Sequence, residues 1–142
     1  EYFIQTHSTN PLLKTESIDK SIEDFFNQKE YDSLFSVTPY QTRLFFENGT
    51  PVNHNPNELI KTQDLPFLYE ENSCIYIFSK NSFLKNKNRV GKNPKLFPIN
   101  KLEAVDIDEM EDFIFAEFLM KQELMLLKQG FLKLVPLLLD LL

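Results

Sequence analysis

Apolar residues recur along this chain in two rhythms, short runs that suit buried strands and spacings of three and four that suit helices. Tyr2, Phe3 and Ile4 open the first run, which the polar cluster Thr6, His7, Ser8, Thr9, Asn10 and then Pro11 brings to an end. Thr15 or Ser17 can cap the helix that follows, where Ile18, Ile22, Phe25 and Phe26 form one stripe that closes near Gln28. Residues 33–38 make a second strand ended by Pro39, and strand, helix, strand is the βαβ unit of a parallel sheet.

Past Pro39 the pattern changes. Arg43, Leu44, Phe45 and Phe46, then Asn48-Gly49, then Pro51 and Val52 predict a hairpin, because Asn-Gly between apolar stretches is a strong turn signal. Residues 53–64 are polar and read as loop, and residues 74–78 are the strongest later strand. Ser79 or Asn81 starts a short helix through Phe83 and Leu84, and residues 95–99 are another strand. Residues 104–108 alternate apolar and acidic side chains as a strand end does, and from Glu109 a helix carries Phe113, Ala116, Phe118, Leu119 and Met120 inward, with Gly130 offering a stop. Residues 131–142 are almost wholly apolar, too short for a bilayer and broken by Lys133, Pro136 and Asp140, so they are expected to dock on a core or a partner. The expected organisation is one domain over residues 1–122 and an apolar helical tail over 123–142. A chain that opens inside a strand without a methionine reads as the later part of something longer.

Composition adds limits. The 142 residues are 42% hydrophobic, enough for one sizeable core. A net charge of -6 argues against nucleic acid or a membrane as partner. Lys80, Lys85, Lys87, Arg89, Lys92 and Lys95 do cluster, but Asn and Gly are interleaved and no aromatic platform sits among them, so the stretch reads as a solvated loop. Cys74 is the single cysteine and lies in an apolar run, which fits a buried thiol in a reducing cytoplasm. The acceptor pattern Asn48-Gly49-Thr50 means little without a secretory signal.

The sharpest chemistry is at Asp106 and Asp108. Carboxylates two residues apart on an extended segment point to one side, and oxygen-only ligands favour magnesium, calcium or manganese; the rival reading is capping of the next helix by its acidic residues. Residues 5–10 offer donors and acceptors at another strand end, or a turn satisfied by its own side chains. His7 and His54 have no partner at metal-ligand spacing. Tyr69, Glu70, Glu71, Asn72 and Ser73 could recognise hydroxyls or form a solvated loop. The glycines Gly49, Gly91 and Gly130 are far apart, so no glycine-rich phosphate loop is present in this stretch.

Gln5 to Leu13, Ser36-Val37-Thr38-Pro39, Asn53-His54-Asn55-Pro56, Thr62-Gln63-Asp64-Leu65-Pro66, Tyr69 to Ser73 and Val105-Asp106-Ile107-Asp108 follow one another in an order that resembles the acylneuraminate cytidylyltransferases, over about residues 1 to 120. The resemblance implies an α/β, Rossmann-like three-layer nucleotidyltransferase sheet, incomplete at its amino-terminal side, with a hairpin and loop dimerisation excursion within about residues 40–100. It implies transfer of CMP from CTP to a nine-carbon sugar acid with Mg²⁺ and release of pyrophosphate, in a cytoplasmic homodimer. Asp106 and Asp108 match the family's metal-binding aspartates. Gln5, or His7 two residues on, takes the place of the glutamine that meets the acyl sugar. Arg43 and Lys61 are the cations assigned to the sugar carboxylate, and Asn72 matches an asparagine beside the sugar pocket. The family's amino-terminal half with its phosphate loop has no counterpart in this sequence. A non-catalytic dimerisation module and a cytidylyltransferase for 3-deoxy-manno-octulosonate remain the alternatives.

Overall fold

The computed structural model describes residues 1–139, with side chains to residue 126. Four strands, β1 (Tyr2–Thr6), β2 (Ser33–Tyr40), β3 (Leu68–Ser79) and β4 (Pro94–Pro98), form one sheet in the order β1-β3-β2-β4. Three helices accompany it, α1 (Thr15–Asn27), α2 (Lys80–Asn86) and α3 (Met110–Leu139). The expected βαβ unit needs correction. β1 and β2 run the same way, but β3 lies between them antiparallel to both, and the parallel pair is β2 with β4. The physical reason is in the pairings: Tyr2 to Thr6 satisfy their backbone groups on residues 75–79, so the alternating run of β3 displaces β2 from the edge of β1.

Directly paired residues share a face of a sheet, which fixes the layers. Leu34 and Ile77 are paired and, with Ile75, pack under Phe25 of α1 in a core that also takes Cys74, Phe97 and Ile99. On the opposite face lie Gln5 paired with Tyr76, and Phe3 paired with Phe78, whose ring centre is 5.6 Å from that of Phe83 on α2. The sheet is thus sandwiched between α1 and α2, a three-layer α/β arrangement.

Local signals account for the helix boundaries, with two exceptions. Ser79 caps α2, accepting from Ser82 N at 3.0 Å, and Lys87 ends that helix in the left-handed region at φ 53. Neither Thr15 nor Ser17 caps α1; instead Glu103 Oε2, 86 residues downstream of Ser17, accepts from Ser17 Oγ at 2.6 Å and from Lys14 N at 3.3 Å. A carboxylate there also suits the positive end of the helix dipole. Gly130 does not end α3, whose backbone stays helical to Leu139; a glycine permits termination but costs only about 1 kcal/mol inside a helix. The expected docking of residues 131–142 lies outside the described side chains. Among the described residues no helix is long and apolar enough to cross a membrane.

The segment between β2 and β3 is stapled to itself. Phe45 bridges Pro51, Phe46 N donates to Thr50 O at 2.8 Å, and Gly49 takes φ 80 at the turn, so the hairpin is present but short. Asn53 Nδ2 donates to Thr42 O at 2.7 Å while its Oδ1 accepts from Leu44 N at 3.0 Å. Gln41 Nε2 donates to the carbonyls of Gln63 and Leu65, closing the base of the excursion.

Candidate active site at the carboxyl end of the sheet

The carboxyl ends of β1, β2 and β4 lie on one side of the molecule, the side on which open α/β sheets place ligands. The loop leaving β1 organises that end. Its first residues face one group of side chains and its last residues hold another.

The last residues hold the aspartate segment. Residues 104–108 do not form a strand end as expected; a turn runs to Ala104, a bend begins at Asp108, and the segment between joins no ladder, fixed by Ile107 N donating to Thr9 O at 2.9 Å and Asn10 Nδ2 donating to Val105 O at 3.3 Å. Ala104 packs against the core below. Asp106 is half-buried, and its Oδ1 is fully enclosed without a hydrogen-bond partner, as is Oδ1 of Asn10. Unmatched buried oxygens are costly, and two in one small region mark a place prepared for a donor or a cation. Cys74 lies close enough to register the charge: burial, then the carboxylates of Asp106 and Glu103, push its thiol up to about 12. It is an inert structural thiol, as its sequence context predicts.

Asp108 is exposed and its carboxylate has no hydrogen-bond or ion-pair partner among the described residues. Asp112 does the capping: its Oδ2 accepts from Glu109 N at 2.9 Å and from Asp108 N at 3.2 Å. The structure therefore separates the two roles that spacing left open, since the cap is four residues further on. Among the described residues no third Asp, Glu, His or Cys joins Asp106 and Asp108. A two-carboxylate site fits Mg²⁺, which keeps several waters and takes its remaining oxygens from substrate phosphates.

The first residues of the loop face the other side. Gln5 Nε2 lies 3.2 Å from His7 Nε2, and the same imidazole nitrogen lies 3.4 Å from Nη1 of Arg89. Arg89 Nη2 donates to the Tyr76 hydroxyl at 3.1 Å, and its guanidinium carbon stands 3.7 Å from the centre of the Tyr76 ring. The Tyr76 hydroxyl in turn contacts Glu71 and lies 3.0 Å from Ser73 Oγ. Burial and the hydrogen bond to Glu71 raise the Tyr76 pKa against the lowering effects of Ser73 and Arg89, so the phenol stays protonated. Ser73 adopts φ 58, a left-handed conformation that a non-glycine residue holds only when its surroundings enforce it.

Arg89 is the residue that sequence reading missed. The stretch around it is not a plain solvated loop: residues 80–86 are helix α2, Lys95 Nζ pairs with Asp24 at 3.4 Å, and Arg89 has its aromatic platform after all, supplied by Tyr76 from another strand. A usable signal was present. Of 15 basic residues only Arg43 and Arg89 are arginine, a choice that matters where a planar fork is needed.

The remaining predicted residues do not join either group through any contact among the described residues. Asn72 belongs to strand β3 rather than to a loop, and its amide is engaged: Ser36 Oγ donates to Oδ1 at 2.6 Å, Cys74 N donates to Oδ1 at 3.3 Å, and Nδ2 donates to Thr38 Oγ1 at 3.0 Å. It ties β2 to β3 at the bulge between Phe35 and Val37. Arg43 donates to Thr62 Oγ1 at 3.2 Å and to Ile60 O, holding the excursion closed, and Lys61 is exposed. His54 stacks edge-on to Phe45 at 4.8 Å with an enclosed, unpartnered Nδ1.

Comparison with known proteins agrees with the fold. In fold the chain is similar to 4-diphosphocytidyl-2C-methyl-D-erythritol synthase from Anaerococcus prevotii, with a TM-score of 0.57 over 85% of this chain and 59% of that one at 13% identity. In sequence it is 30% identical over 125 residues to post-translational flagellin modification protein B of Campylobacter coli, covering 84% of this chain and 53% of the relative. It is 35% identical over 81 residues to CMP-N,N'-diacetyllegionaminic acid synthase of Campylobacter jejuni, covering 57% of this chain and 34% of the relative. N-acylneuraminate cytidylyltransferase of Streptococcus agalactiae is 25% identical over 118 residues, covering 79% of this chain and 28% of the relative. The chain spans about half or less of the length of these relatives. The family model described as cytidylyltransferase matches residues 1–134, and the chain belongs to that family.

Proposed function

We propose that this chain serves the transfer of CMP from CTP to a nonulosonic acid of the N-acylneuraminate type, with release of pyrophosphate. Two relatives whose names specify CMP-diacetyllegionaminate and N-acylneuraminate chemistry support the substrate class. The observation that carries the reading is the enclosed, unpartnered Oδ1 of Asp106 two residues from the unengaged carboxylate of Asp108, at the carboxyl end of a nucleotidyltransferase sheet.

In this reading the anomeric hydroxyl of the sugar attacks the α-phosphorus of CTP, and the bond to the β-phosphate oxygen breaks as pyrophosphate leaves. Asp106 and Asp108 would hold Mg²⁺, which when bound neutralises charge on the phosphates. Asn10 and Thr9 hold the backbone on either side of Asp106 in place, so the segment that carries the carboxylates is set before any ligand arrives. Gln5 and His7 face the sugar across the same loop. The exposed Leu44, Phe45, Phe46 and Phe67 of the excursion support a homodimer, in which Arg43 and Lys61 would serve the partner's site rather than their own.

The test is pyrophosphate release by the full-length protein from CTP, Mg²⁺ and a panel of nonulosonic acids, with Asp108→Ala alongside. Release by the wild type and its loss in the variant is expected. Turnover unchanged in Asp108→Ala would sink the metal assignment, and no release with any acid would sink the reaction.

A further inference from the structure

We infer that Arg89 is the cation that a subunit itself supplies to the carboxylate of its acceptor sugar acid, beside those that Arg43 and Lys61 would bring from the partner, with Tyr76, His7 and Asp32 acting as its positioning residues. The inference deepens the nonulosonic-acid reading and rests on it.

The argument begins with how the guanidinium is held. Its face is used up by the Tyr76 ring at 3.7 Å, and that ring is wholly buried, so the stack has a fixed floor. Nη2 donates to the Tyr76 hydroxyl and Nη1 lies 3.4 Å from His7 Nε2, and neither contact brings a carboxylate to the guanidinium. No carboxylate forms an ion pair with Arg89 among the described residues, and Glu71 is reached only through the Tyr76 hydroxyl. A guanidinium has five N–H groups in one plane, so after these contacts part of its edge is still available to a planar, two-oxygen anion.

Its backbone is held as firmly. Asp32, at the entry to β2, accepts from Lys92 N at 2.8 Å and from Asn93 N at 3.2 Å, and Ser33 Oγ accepts from Gly91 N at 2.8 Å. Gly91, Lys92 and Asn93, two to four residues after Arg89, are thereby locked to the sheet. An arginine is costly to fix in this way unless the geometry is used, because its long side chain gives up much of its rotamer freedom. A second and independent sign is the left-handed backbone of Ser73, which lies within the same cluster and presents its hydroxyl beside Tyr76.

The carboxylate is favoured over the CTP phosphates by position. The aspartate pair that suits a phosphate-bound cation is held by Thr9 and Asn10, on the α1 side of the loop where Ala104 packs, whereas Arg89 meets Gln5 and His7 on the α2 side. The carboxylate of such an acid is bonded to the anomeric carbon, so an arginine that grips it beside Gln5 and His7 holds the attacking hydroxyl next to the loop whose later residues, Thr9 and Asn10, hold the aspartate segment.

Steady-state kinetics on the full chain tests this, with Arg89→Gln and Arg89→Lys, using the sugar acid and its methyl ester as acceptors. Arg89→Gln is expected to raise the KM for the acid by about ten- to a hundredfold, to leave the KM for CTP within about twofold, and to erase the preference for acid over ester. Arg89→Lys, which keeps the charge but not the fork, is expected to fall between, and it decides the matter should Arg89→Gln fail to fold. An unchanged KM for the acid, or a rise confined to CTP, overturns the inference while pyrophosphate release by the wild type leaves the reaction standing. A wild type that releases no pyrophosphate overturns both.

Discussion

A Cβ on Gly91 would stand 2.1 Å from Oδ1 of Asp32, closer than any side chain tolerates, because the Asp32 carboxylate is folded against the backbone of residues 91–93. Gly91 is therefore required for its missing side chain, which lets the loop that carries Arg89 approach β2. Gly91→Ala is expected to push the carboxylate out of its two backbone hydrogen bonds and to destabilise the fold by about 1–3 kcal/mol, read as the midpoint of urea unfolding. An unchanged midpoint would mean that the loop is not anchored through Asp32.

The division of labour between Asp108 and Asp112 gives opposite expectations for two neighbouring carboxylates. Asp112→Ala removes the acceptor for two backbone N–H groups at the start of α3 and is expected to cost about 0.5–2 kcal/mol. Asp108→Asn touches no protein partner and is expected to leave stability within about 0.5 kcal/mol while removing activity. Thermal unfolding of both variants, beside their rates, separates the cap from the ligand; equal losses of stability would contradict the assignment.

Asp106 stores an enclosed oxygen with no partner, which the protein tolerates only at some cost. With a chelator present, Asp106→Asn should raise stability by about 0.5–2 kcal/mol, since it removes a charge from a site with no compensating donor, and should abolish any stabilisation by Mg²⁺ with CTP. A less stable variant under chelation would show that the charge is already satisfied.

Cys74 supplies a pH dependence whose sign is fixed by the structure. Its ordinary value is 9.0 and burial with the nearby Asp106 and Glu103 pushes it up to about 12, so the folded thiol keeps its proton where the unfolded one loses it. The stability this contributes is whole below pH 9.0 and is lost as pH rises toward about 12. Alkylation of the native chain at pH 9 is expected to be negligible and to become rapid only in denaturant; prompt native labelling would show the thiol to be neither buried nor raised.

What the sequence determined by itself was local. The stripe of Ile18, Ile22 and Phe25 places α1, Ser79 caps α2, Asn48-Gly49 turns the hairpin, and Cys74 sits buried in β3, because each depends on spacing within a few residues. The ordered motifs from Gln5 to Asp108 carried the family in the same way, as chemistry written along the chain. Only the tertiary structure decided which elements those residues meet. Periodicity reports the face of its own helix or strand on which a residue lies, but it carries no information about the segment packed against that face. Thus β3 came between β1 and β2, Glu103 reached the start of α1, and Tyr76 became the floor for an arginine 13 residues away. The same limit explains the aspartates: spacing placed two carboxylates together, and the folded chain, by assigning the cap to Asp112 and enclosing one oxygen of Asp106, left Asp108 unengaged.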